Sequence, residues 1–533
     1  MILCILILCL VTTHYLAAIL LTKKRSPPYN YAESPISHPK GMRFPVKMIN
    51  RSSLPLSAFV HPDGENQAAV MQVAQQVLAL LFNHLKTAHQ RSPLPPISRL
   101  KELPISVSIP DESLGEDSLF AQLKVILTHS MNAANPAFIG HMDSMPTTFS
   151  LLGELISAGL NNNMLSLEMS PLLTQLETHL LQDIATLFGF PKSSIGVMLS
   201  GGTLANLQAL AVARNLHFNT RTIGLTSLNQ PPVLFASDVA HTSLQKAAML
   251  LGLGTASVIS IPTNSNSQME TEALRSSILL AQDRGQIPFC IVATAGTTTT
   301  GNIDPLLEIS QIARDYKLWF HVDAAYGGAL VFSPDQRHRL AGIENADSIT
   351  FNPQKWLYVA KTCAMVLFKD PTTIAEAFRI PIPYMSDRDD FINLGEISIQ
   401  GTRHAEVLKL WLSLQHIGKT GYAQLIHDSY TLTAYFVQQI QKRSFLELAS
   451  EPETNLICFR GWFAHQSNAE IDRWNTELQA HLLQHSQIFL SLPTYRGSRW
   501  LRAVLLNPYT ATETIDQLFQ AIDRFHYAAN LRH

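Results

Sequence analysis

The chain has 533 residues, of which 46% are hydrophobic and 15% charged, and its formal net charge is −2. That length suffices for a large core and two or three folding units, and the near-neutral charge gives no reason to expect a nucleic-acid partner. Its five cysteines show neither metal-ligand spacing nor an even disulfide framework, so we expect reduced thiols and no metal site.

The first 22 residues, MILCILILCLVTTHYLAAILLT, contain no Asp, Glu, Lys or Arg, and the basic cluster KKR follows them. About 20 apolar residues can span a bilayer, and the basic cluster predicts a cytoplasmic location for the downstream chain. No basic residue precedes the run and no small-x-small site ends it, which disfavours a cleaved signal peptide. Two interpretations stay open for residues 1–22: a membrane anchor, or an over-extended start.

Residues 23–58 are rich in Pro and Ser and are typical of a linker. A helical segment is predicted over residues 59–130, with its clearest periodicity in QAAVMQVAQQVLALLFNHL. A further helix is predicted from Ser170 as N-cap and Pro171 as the first helical residue.

From about residue 195, seven short apolar runs alternate with helical segments. They are GVMLS (196–200), VLFAS (233–237), SVISI (257–261), FCIVAT (289–294), LWFHV (318–322), SITF (348–351) and CAMVLF (363–368). Strands buried on both faces and separated by helices predict an α/β fold with a seven-stranded, mostly parallel sheet flanked by helices. After residue 400, longer helices followed by mixed elements predict a smaller α+β carboxyl-terminal domain.

Polar or small residues follow the predicted strands, at the sheet edge where such folds bind ligands. Gly201, Gly202 and Thr203 open a helix, which favours an anion there, although taken alone an ordinary tight turn is the better interpretation. His241 follows the second strand, and the threonine-rich AGTTTTGNIDP follows the fourth. Asp323 ends the fifth strand and, being poorly solvated, requires a cationic partner.

Lys355 lies within FNPQKWLYVAK, where burial of an ammonium ion would be costly. A lysine bound to an aldehyde as an imine removes that cost. Together these strand ends predict a receptor for pyridoxal phosphate (PLP), a flat, cationic, phosphate-bearing aldehyde. Asp323 would keep the pyridine nitrogen protonated and make the ring an electron sink, while His241 stacks on one ring face and Ala325 packs on the other.

The run HVDAAYGG, 32 residues before the lysine of NPQKW, resembles the group II PLP-dependent amino-acid decarboxylases of fold type I. That family includes glutamate, aromatic amino-acid, cysteine-sulfinate and diaminobutyrate decarboxylases. The resemblance covers roughly residues 130–530. It implies that Lys355 is the Schiff-base lysine, Asp323 the partner of the ring nitrogen and His241 the stacking base.

The same resemblance implies further site residues, a homodimer with the active site at its interface, and an amino-acid substrate. The implied phosphate ligands are Gly202, Thr203 and Asn352, with Thr298 near the ring hydroxyl, Arg502 on the substrate α-carboxylate and His141 on the substrate side. A loop tyrosine of the family matches Tyr384, which would protonate the reaction intermediate. One position departs from the family, since Gln354 replaces the histidine that usually precedes the lysine, so any acid–base role of that histidine is in doubt.

These expectations divide the chain into a PLP-binding domain (131–380), a mobile catalytic loop (381–400) and a small domain (401–533). The predicted activity removes the α-carboxylate of an L-amino acid as CO2 and yields an amine. A carbon–carbon lyase of the sphingosine-phosphate lyase type is one alternative, but Trp356-Leu357 stands where those enzymes have Tyr-Gly. A non-catalytic membrane-tethered relic is another, disfavoured by the retention of Lys355 and Asp323. Arg403-His404 is reminiscent of the members that act on acidic substrates.

Overall fold

The computed structural model describes residues 54–95, 104–381 and 391–530. The residues of the expected membrane anchor, 1–22, and Tyr384 lie outside this part of the chain. The chain divides into two contact units, Met1–Val73 and Ala74–His533. In the first, the described residues 54–66 form turns and the following residues begin a helix. The fold below is that of the second unit.

Helices and strands alternate along most of the described chain. The helices are α1 (Gln67–Lys86), α2 (Glu116–His129), α3 (Thr148–Leu160), α4 (Pro171–Leu187), α5 (Gly202–Phe218), α6 (Thr220–Ile223), α7 (Ser243–Leu250), α8 (Thr271–Asp283), α9 (Leu306–Asp315), α10 (Pro371–Ala377), α11 (Leu394–Ile397), α12 (Glu406–Gln441), α13 (Asn468–His485) and α14 (Thr512–Asn530). The strands are β1 (Ile195–Leu199), β2 (Pro232–Ser237), β3 (Val258–Ile261), β4 (Ile287–Thr294), β5 (Trp319–Asp323), β6 (Ser348–Phe351), β7 (Ala364–Phe368), β8 (Leu446–Leu448), β9 (Leu456–Gly461), β10 (Thr494–Tyr495), β11 (Ser498–Arg499) and β12 (Leu501–Val504).

The first seven strands form one sheet in the order β1-β7-β6-β5-β4-β2-β3. The pairs β6–β5, β5–β4, β4–β2 and β2–β3 are parallel, whereas β7 runs antiparallel to both β1 and β6. The seven apolar runs of the sequence supply these seven strands, and the prediction of a mostly parallel sheet is confirmed. The parallel strands bring the ends of β2, β4, β5 and β6 to one edge.

Helix α5 lies inside this layered structure, and its residues 205–213 are all buried. It contacts β4, β5, β6 and β7 on one side and α7 and α10 on others. The alanines of the sequence LANLQALAVA allow this close approach from several directions, because small side chains leave room for neighbouring elements. The helix thereby brings Asn206 beneath the edge where the strands end.

The carboxyl-terminal region holds a second, three-stranded antiparallel sheet in the order β12-β9-β8. Its aliphatic and aromatic residues form a separate core cluster with α13 and α14. This is the smaller α+β part that the sequence predicts. The sheet places Arg502 opposite Cys458 in the register of β12 and β9.

Two predicted segments need comment. Helix α4 begins at Pro171 as expected, but the Ser170 side chain forms no capping hydrogen bond. Of the expected mobile loop, residues 382–390 lie outside the described chain, while Leu394 and Ile397 of α11 are buried. The carboxyl-terminal end of the 381–400 segment is therefore packed against the core, because its apolar side chains have a place there. The other domain limits remain predictions.

One helix in the described part of the chain, α1, is long and apolar enough to cross a membrane by length and composition. None of its residues is buried.

Candidate active site

A cavity of about 300 Å³ opens at the edge of the sheet where β2, β4, β5 and β6 end. Its wall contains residues from the loops after all four strands and from the start of α5. The predicted site residues in this wall are Gly202, Thr203, His241, Thr298, Asp323, Ala325, Asn352 and Lys355. The topology therefore brings together residues that are up to 153 positions apart in the sequence, counted from Gly202 to Lys355.

One end of the cavity is formed by the amino terminus of α5. Gly201, with φ of 146°, adopts a backbone conformation that favours glycine, and a Cβ there would meet open space. A Cβ on Gly202 would lie 3.0 Å from the side-chain amide of Asn352, so the close approach of these two residues favours glycine. The first N–H groups of a 17-residue helix face a space with the hydroxyl of Thr203 beside them, an arrangement that suits a phosphate group.

Lys355 lies in the turn after β6, and its backbone N–H donates to the carbonyl of Asn352 at 3.0 Å. The neighbouring Trp356 is buried and stacks on Tyr326 at a centroid distance of 4.9 Å, which fixes the start of this turn. Burial lowers the pKa of the Lys355 ammonium, against the raising effects of Asp323 and Asp143. A lowered pKa increases the fraction of neutral amine, the form that attacks an aldehyde.

Asp323 is buried at the end of β5, and both of its carboxylate oxygens are held. One oxygen accepts from the backbone N–H of Ala325 at 3.1 Å, and the other accepts from the Asn206 amide at 2.8 Å. Within the described chain no Lys or Arg nitrogen lies within 4.0 Å of it. A buried carboxylate without a cationic protein partner is suited to a cationic ligand in the cavity.

His241 lies in the cavity wall after β2. Its Nδ1 accepts from the backbone N–H of Ser243 at 3.1 Å, so the ring proton of the neutral imidazole is on Nε2. Burial lowers the pKa of His241, with a raising effect from Asp323. The neutral ring can stack on an aromatic ligand.

Arg502 is 7% exposed and contacts only neutral acceptors within the described residues. Its Nη1 donates to the carbonyl of Thr298 at 2.6 Å, and its Nη2 donates to the carbonyl of Gly140 and to Nδ1 of His141, both at 3.1 Å. Nε is buried and makes no hydrogen bond in this part of the chain. Two of the five guanidinium hydrogens, one on Nε and one on Nη1, thus have no acceptor in this part of the chain. Neither Arg502 nor His141 is among the residues that form the cavity wall.

His141 packs against Phe489 at a centroid distance of 5.1 Å. Burial lowers its pKa, and Arg502 lowers it further, which fits its role as acceptor of the arginine hydrogen. Beside it, the ammonium of Lys361 lies 2.5 Å from a carboxylate oxygen of Asp143, and the lysine side chain is 53% exposed.

Three findings differ from or add to the sequence analysis. Arg403 is buried in a two-fold hydrogen-bonded ion pair with Glu177, so its likeness to acidic-substrate members provides no free cation. Asn206 also belongs to the site, although no sequence pattern singles it out. Gln354 also lines the cavity, and its Oε1 accepts from the backbone N–H of Cys363 at 2.5 Å.

The arrangement fits PLP on observations of this chain. A glycine-lined helix terminus suits the phosphate, and a buried carboxylate suits a protonated pyridine nitrogen. The partly buried Lys355 lies in the same cavity wall and suits the aldehyde.

Comparison with known proteins agrees with this geometry. Residues 98–461 match the pyridoxal-dependent decarboxylase conserved domain. Cysteine sulfinic acid decarboxylase of Mus musculus is 30% identical over 441 residues, covering 80% of this chain and 88% of that protein. An L-aspartate decarboxylase of Metarhizium robertsii is 31% identical over 427 residues, covering 78% and 84%. A crystal structure of mouse CSAD has a TM-score of 0.81 at 28% identity, covering 86% of this chain and 99% of that chain.

The chain therefore belongs to the pyridoxal-dependent decarboxylase family. It is a PLP-dependent carboxy-lyase that removes the carboxylate of an L-amino acid.

Proposed function

We propose that the substrate is an acidic L-amino acid whose second anion is one carbon beyond Cα, as in aspartate or cysteine sulfinate. Similarity to proteins named for cysteine sulfinic acid, acidic amino acids and L-aspartate supports this class. The observation that carries it is the presence of two cations, Arg502 and Lys361, close enough to Lys355 to lower its pKa, where an amino acid with a neutral side chain would need one.

Arg502 binds the α-carboxylate in this proposal. Its contacts with the Thr298 and Gly140 carbonyls fix the plane of the guanidinium before a substrate arrives. The remaining N–H groups then direct the carboxylate, and a buried cation gains most from an anion there.

Lys361 binds the second anion. Its ammonium has three donor hydrogens, and the contact with Asp143 uses one. Asp143 therefore positions a flexible side chain while leaving donors for a side-chain carboxylate or sulfinate.

PLP, when bound, supplies the electron sink that accepts the electron pair of the broken bond between Cα and the carboxylate. Lys355 would hold the cofactor covalently, and its free amine could carry a proton near Cα. Asp323 would stabilise the positive charge of the ring nitrogen by accepting a hydrogen bond from its N–H group. The neutral ring of His241 covers one face of the cofactor and excludes water, and Ala325 leaves room on the other.

Tyr384 is proposed as the donor that protonates Cα after CO2 leaves. The position in the sequence, 29 residues after Lys355, supports this role. A loop that closes over the site would also exclude water and oxygen.

The substrate class is tested by release of CO2 from purified protein supplied with PLP and single L-amino acids. Aspartate or cysteine sulfinate should give a kcat/KM at least tenfold above those for asparagine, diaminobutyrate and tryptophan. Lys361→Met should raise KM for the acidic substrate about tenfold, the value of one charge-assisted hydrogen bond, with kcat nearly unchanged. Lys369→Met, which removes a lysine bonded to the carbonyl of Glu344, is the matched control. Preference for a neutral or cationic amino acid would contradict the acidic class.

We also propose that the enzyme is a homodimer. Helix α3 and the start of α4 expose large apolar side chains, among them Leu155 at 56% and Leu172 at 74%. Exposed apolar side chains in such number favour burial against another chain, and the family resemblance supports a second copy. Light scattering of an active, PLP-loaded monomer would refute the proposal.

For residues 1–22 we propose a membrane tether with a cytoplasmic catalytic part, supported by their hydropathy and the basic residues that follow. Fractionation of the native full-length chain tests it. Recovery in the soluble fraction without detergent would favour the over-extended start.

A further inference from the structure

A chain of hydrogen-bonded side chains runs beneath the cavity and ends on Asp323. Trp319 Nε1 donates to Ser348 Oγ at 2.9 Å, and Ser348 Oγ contacts His321 Nδ1 at 2.8 Å. His321 Nε2 contacts Asn206 Oδ1 at 3.1 Å, and Asn206 Nδ2 donates to Asp323 Oδ2 at 2.8 Å. The chain thus joins β5, β6 and α5 to the carboxylate at the cavity.

The direction of every hydrogen bond follows from its chemistry. An ionised Asp323 only accepts, so the amide nitrogen of Asn206 faces it and the amide oxygen faces His321. That oxygen needs a donor, which places the imidazole proton on Nε2. Nδ1 is then an acceptor and receives the hydroxyl proton of Ser348, whose oxygen accepts from Trp319.

The environment keeps His321 in this single form. Burial lowers the pKa of His321 to about 4, so the ring is neutral near pH 7. The side chains of His321, Ser348 and Asn206 are buried, where a polar group oriented the wrong way cannot turn to water. All donors therefore point along the chain toward Asp323, and aligned hydrogen bonds of this kind polarise one another.

We propose that His321 is a positioning residue that, through Asn206, orients the Asp323 carboxylate toward the ring nitrogen of the cofactor. The proposal rests on the role given above to Asp323. Asn206 Nδ2 also donates to Ser243 Oγ at 2.9 Å, so the amide has donors on one side and needs His321 on the other. Without the Nε2 proton, the buried Asn206 oxygen loses its donor, the amide is held less firmly, and Asp323 Oδ2 is positioned less precisely at the cavity.

If His321 only supports the fold, its replacement should weaken the binding of PLP and of a PLP analogue equally. If it orients Asp323, only a ligand with a ring N–H should be affected. Binding of PLP to the apoenzyme is compared with binding of an analogue that has carbon in place of the ring nitrogen. The analogue offers no N–H to Asp323. His321→Leu should weaken PLP binding about 10-fold, as expected for one neutral hydrogen bond, and should leave the affinity for the analogue unchanged within about twofold.

Two other variants keep the test decisive if His321→Leu fails to fold. Ser348→Ala keeps the imidazole but removes the donor to Nδ1, together with the acceptor of Trp319 Nε1, and should weaken PLP binding about 3-fold, again without effect on the analogue. Ser348→Thr should restore the parent affinity. Phe320→Leu is the matched control, because alternation along β5 places Phe320 on the opposite face and it is equally buried. It should change both affinities in the same proportion.

A second readout is independent of the cofactor. Nitrogen NMR of protein labelled in histidine, with His321 assigned through its variant, should show a neutral ring protonated on Nε2 at pH 7. A proton on Nδ1, or equal weakening of PLP and analogue in both His321→Leu and Ser348→Ala, would overturn the proposal. Asp323→Asn separates the role of His321 from the role of Asp323. If Asp323→Asn weakens the binding of PLP and of the analogue equally, the role of Asp323 itself is wrong.

Discussion

Arg502 provides the most direct test of the substrate side of the site. The guanidinium has five N–H donors, and three of them are used by Thr298, Gly140 and His141. Two remain for the substrate carboxylate. In Arg502→Lys the ammonium has three donors, and the two carbonyls would use two of them, so one remains. The variant should therefore lose one charge-assisted hydrogen bond, worth about 1.5–3 kcal/mol.

At about 1.4 kcal/mol per tenfold change, kcat/KM for the acidic substrate should fall between about 10-fold and 150-fold. Steady-state CO2 release measures this, and titration of the apoenzyme with PLP should show an unchanged affinity. Arg443→Lys is the matched control, because Arg443 is a partly buried arginine paired with Asp523 away from the cavity. If Arg502→Lys keeps kcat/KM within threefold of the parent, Arg502 does not bind the carboxylate as we infer.

Three further outcomes are expected. Lys355→Ala should lose both turnover and the absorbance that PLP acquires near the visible edge on binding to the lysine; measurable decarboxylation by this variant would contradict the central assignment. Tyr384→Phe should bind PLP and substrate normally yet release amine slowly, with part of the substrate diverted to an aldehyde and ammonia, and amine formation at the parent rate would remove the tyrosine from the mechanism. Finally, His321 has a pKa of about 4 in the folded protein and about 6.5 in the unfolded chain, so the unfolded chain binds more protons between these two pH values. The contribution of His321 to the free energy of unfolding is therefore fully present above pH 6.5 and falls by at most about 3 kcal/mol as the pH approaches 4. Urea unfolding midpoints should depend less on pH in His321→Leu than in the parent protein.

The sheet could be predicted from the sequence because its strands are buried on both faces. Such strands are continuous apolar runs, as in FCIVAT and CAMVLF, and local composition alone identifies them. The strand order could not be read in the same way. The antiparallel insertion of β7 between β1 and β6 depends on contacts between residues far apart, such as Leu199 and Ala364, and no local pattern specifies them.

The residues that line the candidate site could also be predicted from the sequence, since a residue at or just after the end of a parallel strand lies at the edge of the sheet where ligands bind. Asp323 and Lys355 follow that rule. Arg403 shows where the reasoning fails: its sequence neighbourhood suggests a substrate contact, whereas a buried Glu177 from α4 takes its charge. Only the packing of a distant helix against the segment before α12 decides whether this arginine is free.

The hydrogen-bonded residues beneath the site could not be predicted from the sequence for a different reason. In WFHVD, the alternation of a strand places Trp319, His321 and Asp323 on one face, so the sequence did contain the signal that three polar-capable side chains share a surface with the cofactor carboxylate. The partner could not be inferred, because Asn206 lies within an apolar helix 115 positions before His321. A buried polar side chain in a helix must find a partner outside it. Here His321 on β5 supplies the donor for the Asn206 oxygen, and the Asn206 nitrogen donates to Asp323 on the same face of β5. These two contacts hold the Asp323 carboxylate in place as an acceptor.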